Sequence, residues 1–305
     1  MDSINGNTAK PYVEYKDFPA HAGEVVQMKG IIHRIREMTG FAFVIIRTAR
    51  GTVQCVYSPD FSEYRMGEEV VEGCSVKLTG KIVKDETRED RYEMQIHGIE
   101  VLSSPAEQMP IVINKKQLDN IPIDLNLNLR PVTLRNPKER AVFKIQEGVA
   151  RGFREFLFSQ NFTEIRTPKI CAQGAEGGAN IFKLDYFGKQ VFLAQSPQFY
   201  KQMLVPVYER VFEIGPVFRA EHHDTSRHLN EYISMDFEMG FIDSFYDIMN
   251  METGALKYIM ELLQREYAEE IALLNAQLPA IGEIPVVKFM DAKEIITKKF
   301  KKKIT

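Results

Sequence analysis

The feature that most constrains this chain is a change of hydrophobic period near residue 136. Before it, apolar residues come in short runs broken by turn residues, the pattern of half-buried strands. From Asn136 onward, Ala141, Ile145, Val149, Phe153 and Phe156 recur at helical spacing. Asn136 is suited to cap that helix, with Pro137 in its first position and Glu139 three residues after the cap. The two periods need two different layers to bury them, and 305 residues are enough for two domains.

Residues 23–103 predict a small β domain. EVVQMKGIIHRIREM and FAFVIIRTARGTVQCVY are broken at Gly40 and at Ala49–Gly51, and CSVKLTGKIVKD and RYEMQIHGIEVL are separated by the charged turn 86–90. A polar stretch near Ser58–Met66 has helical potential. Five strands with a helical interruption after the third fit an OB-fold barrel, and any small antiparallel β domain is the alternative. Residues 1–22 read as an N-terminal extension. Residues 104–135, with four prolines and no sustained period, read as a hinge. Residues 136–305 predict an α+β domain on an antiparallel sheet. Its strand candidates are FTEIRTPKI, ANIFKLDYF, KQVFLA, RVFEIGPVFRA and YISMDFEMGFI. A second long helix starts at Ser244, whose capping box is completed by Asp247, with Ile248, Ala255, Ile259 and Leu262 along one stripe. IPVVKFM predicts a last short strand before a lysine-heavy helix or tail.

Composition excludes little beyond the extremes. A formal charge of −3 announces no non-specific nucleic-acid binder, although local reading of a folded RNA needs no overall basicity. No apolar run is long enough to span a bilayer, and residues 1–18 show no targeting pattern, so a cytoplasmic protein is expected. Cys55, Cys74 and Cys171 are odd in number and lack metal-ligand spacing, which predicts free, mostly buried thiols.

Reactive side chains concentrate at residues 217–241, VFRAEHHDTSRHLNEYISMDFEMGF. Arg219 and Glu221 alternate on one predicted strand, Asp236 and Glu238 on the next, and the loop between holds His222, His223, Asp224, Arg227 and His228. Arginine and carboxylates on one sheet face suit a substrate with phosphate and ammonium groups. A solvated charged hairpin is the alternative, and the histidine spacing matches no common zinc pattern.

FRAE, a loop ending in RHLNE and a strand carrying MDFEM closely resemble motif 2 of the class II aminoacyl-tRNA synthetases. The long helix leading into FTEIRTPKI resembles motif 1, with Pro168 its characteristic proline. AEGGANIFKLDYF and AQSPQFYKQML resemble the mobile loop and amino-acid pocket of the aspartyl branch. The resemblance covers residues 20–300. It implies ATP and Mg²⁺ as cofactors, aspartate and tRNA-Asp as partners, a homodimer joined near Pro168, and activation of aspartate as an adenylate before transfer to tRNA. Arg219 would hold the ATP α-phosphate, Glu221 would face the adenine, and Arg227 and His228 would reach the outer phosphates. Glu176, Ser196, Gln198, Lys201 and Asp236 would form the aspartate site, with Lys201 meeting the substrate side-chain carboxylate. An asparaginyl enzyme is the competitor within the branch, and Lys201 argues against it because an amide needs no cation. Phe43, Gln54 and Glu93 match anticodon-reading positions of the barrel. His33 stands where strict enzymes often carry a larger aromatic, which implies charging of tRNA-Asn as well.

Motif 3, glycine-rich and arginine-bearing, is not found in these 305 residues, nor are the acidic residues that hold Mg²⁺ beside ATP. The resemblance therefore predicts an incomplete catalytic sheet with an open edge and an exposed apolar face. Two other function classes stay open: an inactive tRNA-binding or regulatory fragment, and an OB-fold RNA-binding module with an unrelated partner domain.

Overall fold

Alternation of buried and exposed residues along five strands closes the first unit into a barrel. The computed structural model describes residues 12–85, 91–107, 109–114, 121–174, 181–223, 225 and 228–301. The chain divides at Glu139–Arg140 into two compact units. In the first, strands β1 (Val25–Met38), β2 (Phe41–Thr48), β3 (Gly51–Tyr57), β4 (Ser75–Lys84) and β5 (Tyr92–Ser103) form a closed barrel of order β1-β2-β3-β5-β4. The long β1 pairs with β4 through its first half and with β2 through its second, so one strand serves both sides of the closure. Met28, Val44, Ile46, Leu78, Ile82 and Ile96 fill the interior at 0–1% exposure, which leaves the alternate residues facing outward. Pairing of β1 with β2 shifts register between Ile32 and Arg34. Such a bulge puts His33 on the buried side directly after Ile32.

The helical turn expected near Ser58–Met66 is absent. The carbonyl of Ser58 accepts from the amides of Phe61 and Ser62, its hydroxyl accepts from Asp60, and the Tyr57 hydroxyl accepts from Met66. One helix-type bond, Ser62 to Ser58, forms, but the Asp60 and Met66 amides go to side-chain hydroxyls and no helix continues from it. The hinge region also departs from expectation, holding two short helices, α1 (Ile123–Asn128) and α2 (Arg130–Thr133). The charged turn 86–90 lies outside the described residues, as do residues 1–11 of the N-terminal extension.

The second unit is built on α3 (Pro137–Ser159), whose first turn is capped as the sequence predicts: the Asn136 carbonyl oxygen Oδ1 accepts from the Lys138 amide at 2.9 Å. The FTEIRTPKI segment splits around Pro168 into β6 (Thr163–Glu164) and β7 (Ile170–Cys171). After them come β8 (Lys183–Tyr186), β9 (Lys189–Leu193), α4 (Gln198–Tyr208), β10 (Arg210–Phe218), β11 (Glu231–Met239) and α5 (Phe245–Glu266). One sheet has the order β11-β10-β6, with β10 and β11 antiparallel and the short β6 parallel to β10, so the sheet is mixed rather than purely antiparallel. A second has the order β7-β9-β8. Phe212 and Phe237, opposed in register, point to the side where Phe153, Leu157, Ile259 and Leu263 of α3 and α5 make the core. The Ser244–Asp247 capping box starts α5 as read from sequence.

IPVVKFM does not form a strand. Residues 284–288 have no strand partner among the described residues, and the helix α7 (Phe289–Phe300) begins inside the segment, after the short α6 (Ala268–Leu274). β11 is one edge of its sheet and exposes Ile233 and Met235, and α4 exposes Phe199, Met203 and Val207. All three cysteines are free thiols: Cys55 and Cys74 are buried, and Cys171 is partly so. Burial, with Glu93 nearby, pushes the Cys55 thiol far above its ordinary range. No helix among the described residues is long and apolar enough to cross a membrane.

The buried face of α3 runs through Ala141, Gly148, Gly152, Phe153 and Leu157, so it keeps Ala141 and Phe153 of the periodic positions and adds two glycines and Leu157. At Gly148 a Cβ would lie 2.6 Å from Leu263 Cδ2, and at Gly152 it would lie 3.1 Å from the Ile259 backbone. Absence of side chains at these two positions sets how near α5 can come. Gly148→Leu therefore costs about 1–3 kcal/mol by overpacking, against the gain of about 1 kcal/mol that leaving glycine brings in an open helix. Urea denaturation measures it, and an unchanged or raised midpoint would contradict this packing.

On the other side of α3, Arg154 donates twice to Glu164, and Arg166 donates to the same carboxylate. Burial pushes the Glu164 carboxyl up, but the two guanidinium groups outweigh it and hold the group below its usual value near 4.5. A depressed carboxylate pKa gives stability that is full above the unfolded value and lost as pH falls through the folded one. Glu164→Gln is expected to lower stability at pH 7 and to match wild type once the pH lies well below 4, read from denaturation curves across pH.

Candidate functional site

The two faces of the β10–β11 ribbon differ at the centre of the ladder, although Val211 and Val217 share the polar side. Phe212, Ile214 and Phe237 lie on the core side, while Glu213, Gly215, Ser234, Asp236 and Glu238 lie on the other. Glu213 stands directly opposite Asp236, and Glu238 is the next residue on that face. Like charges directly opposed across a ladder repel, so the row requires counter-charge. Two lysines supply it. Lys169, two residues after Thr167, places Nζ 2.8 Å from Glu213 Oε2. Lys201 of α4 places Nζ 3.4 Å from both Asp236 Oδ1 and Glu238 Oε2, and 3.5 Å from the Phe237 carbonyl.

Lys201 is 4% exposed and Glu213 3%, so both couples are desolvated and depend on their partners. Glu213 also accepts from the Thr167 amide at 2.9 Å and the Thr167 hydroxyl at 2.7 Å. This carboxylate therefore fixes the segment around Pro168 to the middle of β10. Pro168 itself is exposed, between β6 and β7. Asp236 takes a hydrogen bond from Ser234 on the same strand.

At the start of α4, the Ser196 hydroxyl accepts from the Gln198 amide at 3.1 Å, which anchors the first turn. Gln198 and Lys201, three apart, share a helix face and both reach β11: Gln198 Nε2 donates to Glu238 Oε2 at 3.1 Å. The structure thus brings together Ser196, Gln198, Lys201 and Asp236, four of the five residues expected at an amino-acid pocket. The fifth, Glu176, lies outside the described residues.

Arg219 and Glu221 lie beyond the end of β10 rather than within it. The Arg219 amide still donates to the Asn230 carbonyl at 2.9 Å, one step past the Phe218–Glu231 pair. This continues the ladder and keeps Arg219 in phase with Glu213 and Gly215. Across the loop, His228 Nε2 is 3.7 Å from Glu221 Oε2, and its Nδ1 is 2.6 Å from the Thr225 hydroxyl. Arg227 and Asp224 lie outside the described residues. Among the described residues no group of three or more His, Cys, Asp or Glu is placed to hold a metal ion.

The outward face of the barrel in the first unit forms a second candidate surface. Phe43 is half-buried, with its ring centroid 5.2 Å from that of Phe41 in edge-to-face contact. Register sets Phe43 between Arg36 of β1 and Val56 of β3, and Ile45 between Arg34 and Gln54. Gln54 Nε2 donates to Glu93 Oε2 at 3.0 Å, so two of the expected reading residues are coupled. The arrangement offers an aromatic platform, an amide–carboxylate pair and flanking guanidinium groups, the set by which unstacked bases and their phosphates are held. Arg34 and Arg36 had no role from the sequence, although their alternation in HRIRE was a usable signal once the bulge at His33 is known. Lys169 and Glu213 were missed because 44 residues separate them.

The first unit is a closed five-stranded barrel, and the second carries paired lysines and carboxylates on the polar face of its sheet. A family model described as OB-fold nucleic acid binding domain matches residues 26–102, and one described as tRNA synthetases class II (D, K and N) matches residues 122–304. The chain belongs to the class II tRNA synthetases of the D, K and N group. Among its relatives are Aspartate--tRNA(Asp/Asn) ligases of Deinococcus radiodurans and Thermus thermophilus. The first is 42% identical over 286 residues, covering 93% of this chain and 64% of the relative. The second is 40% identical over 282 residues, covering 92% and 65%. This chain therefore spans just under two thirds of their length. Among solved structures, the asparaginyl-tRNA synthetase of Pyrococcus horikoshii complexed with asparaginyl-adenylate matches with TM-score 0.82 at 26% identity, covering 94% of this chain and 67% of that one.

The Glu213 couple is the part of this site whose removal has the plainest consequence. Glu213→Ala leaves the Lys169 ammonium without its carboxylate and the Thr167 amide without its acceptor. The expected loss is about 3 kcal/mol of stability, measured by chemical denaturation. A loss under about 1 kcal/mol, the range of exposed pairs, would contradict the desolvated geometry.

Proposed function

We propose that this chain carries the amino-acid-activating and tRNA-reading parts of an aspartate–tRNA ligase that charges both tRNA-Asp and tRNA-Asn. The observation that carries the reading is Lys201, a desolvated ammonium on the polar face with Asp236 and Glu238 around it. An amide substrate needs no counter-charge there, whereas a buried side-chain carboxylate does. The names of the two bacterial relatives point the same way.

In this reading Lys201 meets the side-chain carboxylate of aspartate, Asp236 turns to its ammonium, and Gln198, Ser196 and Glu176 complete the pocket. Arg219 holds the α-phosphate of ATP as the aspartate carboxylate attacks it, forming aspartyl-adenylate and releasing pyrophosphate. Glu221 meets the adenine, and His228 and Arg227 reach the outer phosphates. Mg²⁺ would accompany ATP and offset phosphate charge. Phe43, Gln54 and Glu93 read the anticodon, with Arg34 and Arg36 beside them, and a terminal ribose hydroxyl of the tRNA then takes the aspartyl group. His33, buried at the bulge, leaves more room than a larger aromatic would and supports acceptance of both tRNAs. A homodimer joined around Pro168 belongs to the same proposal.

ATP–pyrophosphate exchange tests it. In a protein that carries these residues together with motif 3, exchange is expected with L-aspartate and not with L-asparagine, and Lys201→Met should lower kcat/KM for aspartate about 100-fold or more. Charging of pure tRNA-Asp and tRNA-Asn at similar rates is expected. Charging of tRNA-Asp alone would discard the dual specificity, and tRNA binding without any aspartate-dependent exchange would overturn the ligase reading in favour of an RNA-binding protein.

A further inference from the structure

Glu238 has no place among the roles above, yet it makes a connection that no other residue of the polar face makes. Its Oε2 accepts from Gln198 Nε2 at 3.1 Å and lies 3.4 Å from Lys201 Nζ. One carboxylate oxygen on β11 therefore ties down both side chains that α4 presents to the pocket. Among the described residues Asp236 shares only Lys201, and its second oxygen is taken by Ser234. We propose that Glu238 is the positioning residue of the amino-acid pocket, setting the orientation of Gln198 and Lys201 together. The proposal rests on the ligase reading for its substrate, and on geometry alone for the hold on Lys201.

The two carboxylates around Lys201 then divide the work. A substrate ammonium draws Asp236 away, and of the two carboxylates around Lys201, itself 4% exposed, Glu238 is the one that remains. Glu238 stays behind to hold Lys201 in place. Its charge and its second hydrogen bond together prevent the flexible lysine stem from searching other rotamers, which would lower affinity for a carboxylate.

Calorimetric titration of L-aspartate into the wild-type chain and into Glu238→Gln and Glu238→Ala tests this. The same three proteins are labelled at lysine with trinitrobenzenesulfonate, and Lys201 is followed by mass spectrometry. Loss of both contacts in the alanine variant is expected to weaken aspartate binding about tenfold or more, while the glutamine variant, which keeps the acceptor for both groups but not the charge, falls between it and wild type. Lys201 is expected to label several-fold faster in the alanine variant than in wild type. Unchanged affinity in the alanine variant, equal losses in both variants, or unchanged labelling of Lys201 would each overturn the positioning role. Failure of the wild-type chain to bind aspartate, together with faster labelling in Glu238→Ala, would remove the ligase reading and leave the hold on Lys201 standing.

Discussion

Three carboxylates in a row on one face of a two-stranded ribbon are the constraint on which the second unit depends. Glu213, Asp236 and Glu238 are neighbours on the β10–β11 ladder, and without cations their mutual repulsion would favour another register or none. Lys169 and Lys201 reach the row from two different directions, one from the segment after β6 and one from α4. Each couple is desolvated, so each holds its segment to the sheet strongly once formed and is costly to break. The same row sets charge between Val211 and Val217, the buried apolar residues at either end of that face.

The core side of the sheet makes this arrangement affordable. Phe212 and Phe237 pack against α3 and α5, and the glycines at 148 and 152 let those helices approach closely. Apolar burial there supplies the free energy that a face of ion pairs does not. A rigid ribbon with one dry face and one charged face is the basis on which Gln198 and Lys201 can be placed to within hydrogen-bonding distance.

Local chemistry made much of this legible in the sequence. The Asn136 cap, the Ser244–Asp247 capping box, the barrel strands and the β10–β11 pair are each determined by neighbouring residues and a clear period. Segments whose conformation depends on distant partners were not legible in the same way. IPVVKFM has strand composition but no strand beside it, and Ser58–Met66 spends its amides on turns and on the barrel. Lys169 and Glu213 belong together only through the fold, and Arg219 lies past the strand end that its alternation suggested. Register faults hide residues as well: the bulge at His33 reverses the facing of everything after it in β1, including Arg34 and Arg36.

Fold alone does not choose between an acid and an amide substrate, since an asparaginyl enzyme superposes on this chain over most of its length. The choice falls to side-chain chemistry, and in the proposed reading to the Lys201 ammonium. A crystal structure of the chain with L-aspartate bound tests that most directly. The account predicts the substrate side-chain carboxylate within hydrogen-bonding distance of Lys201 Nζ, with Asp236 turned to the substrate ammonium and Glu238 still on Lys201. Aspartate bound away from this face, or bound on it with Lys201 engaging only Asp236 and Glu238, would contradict it.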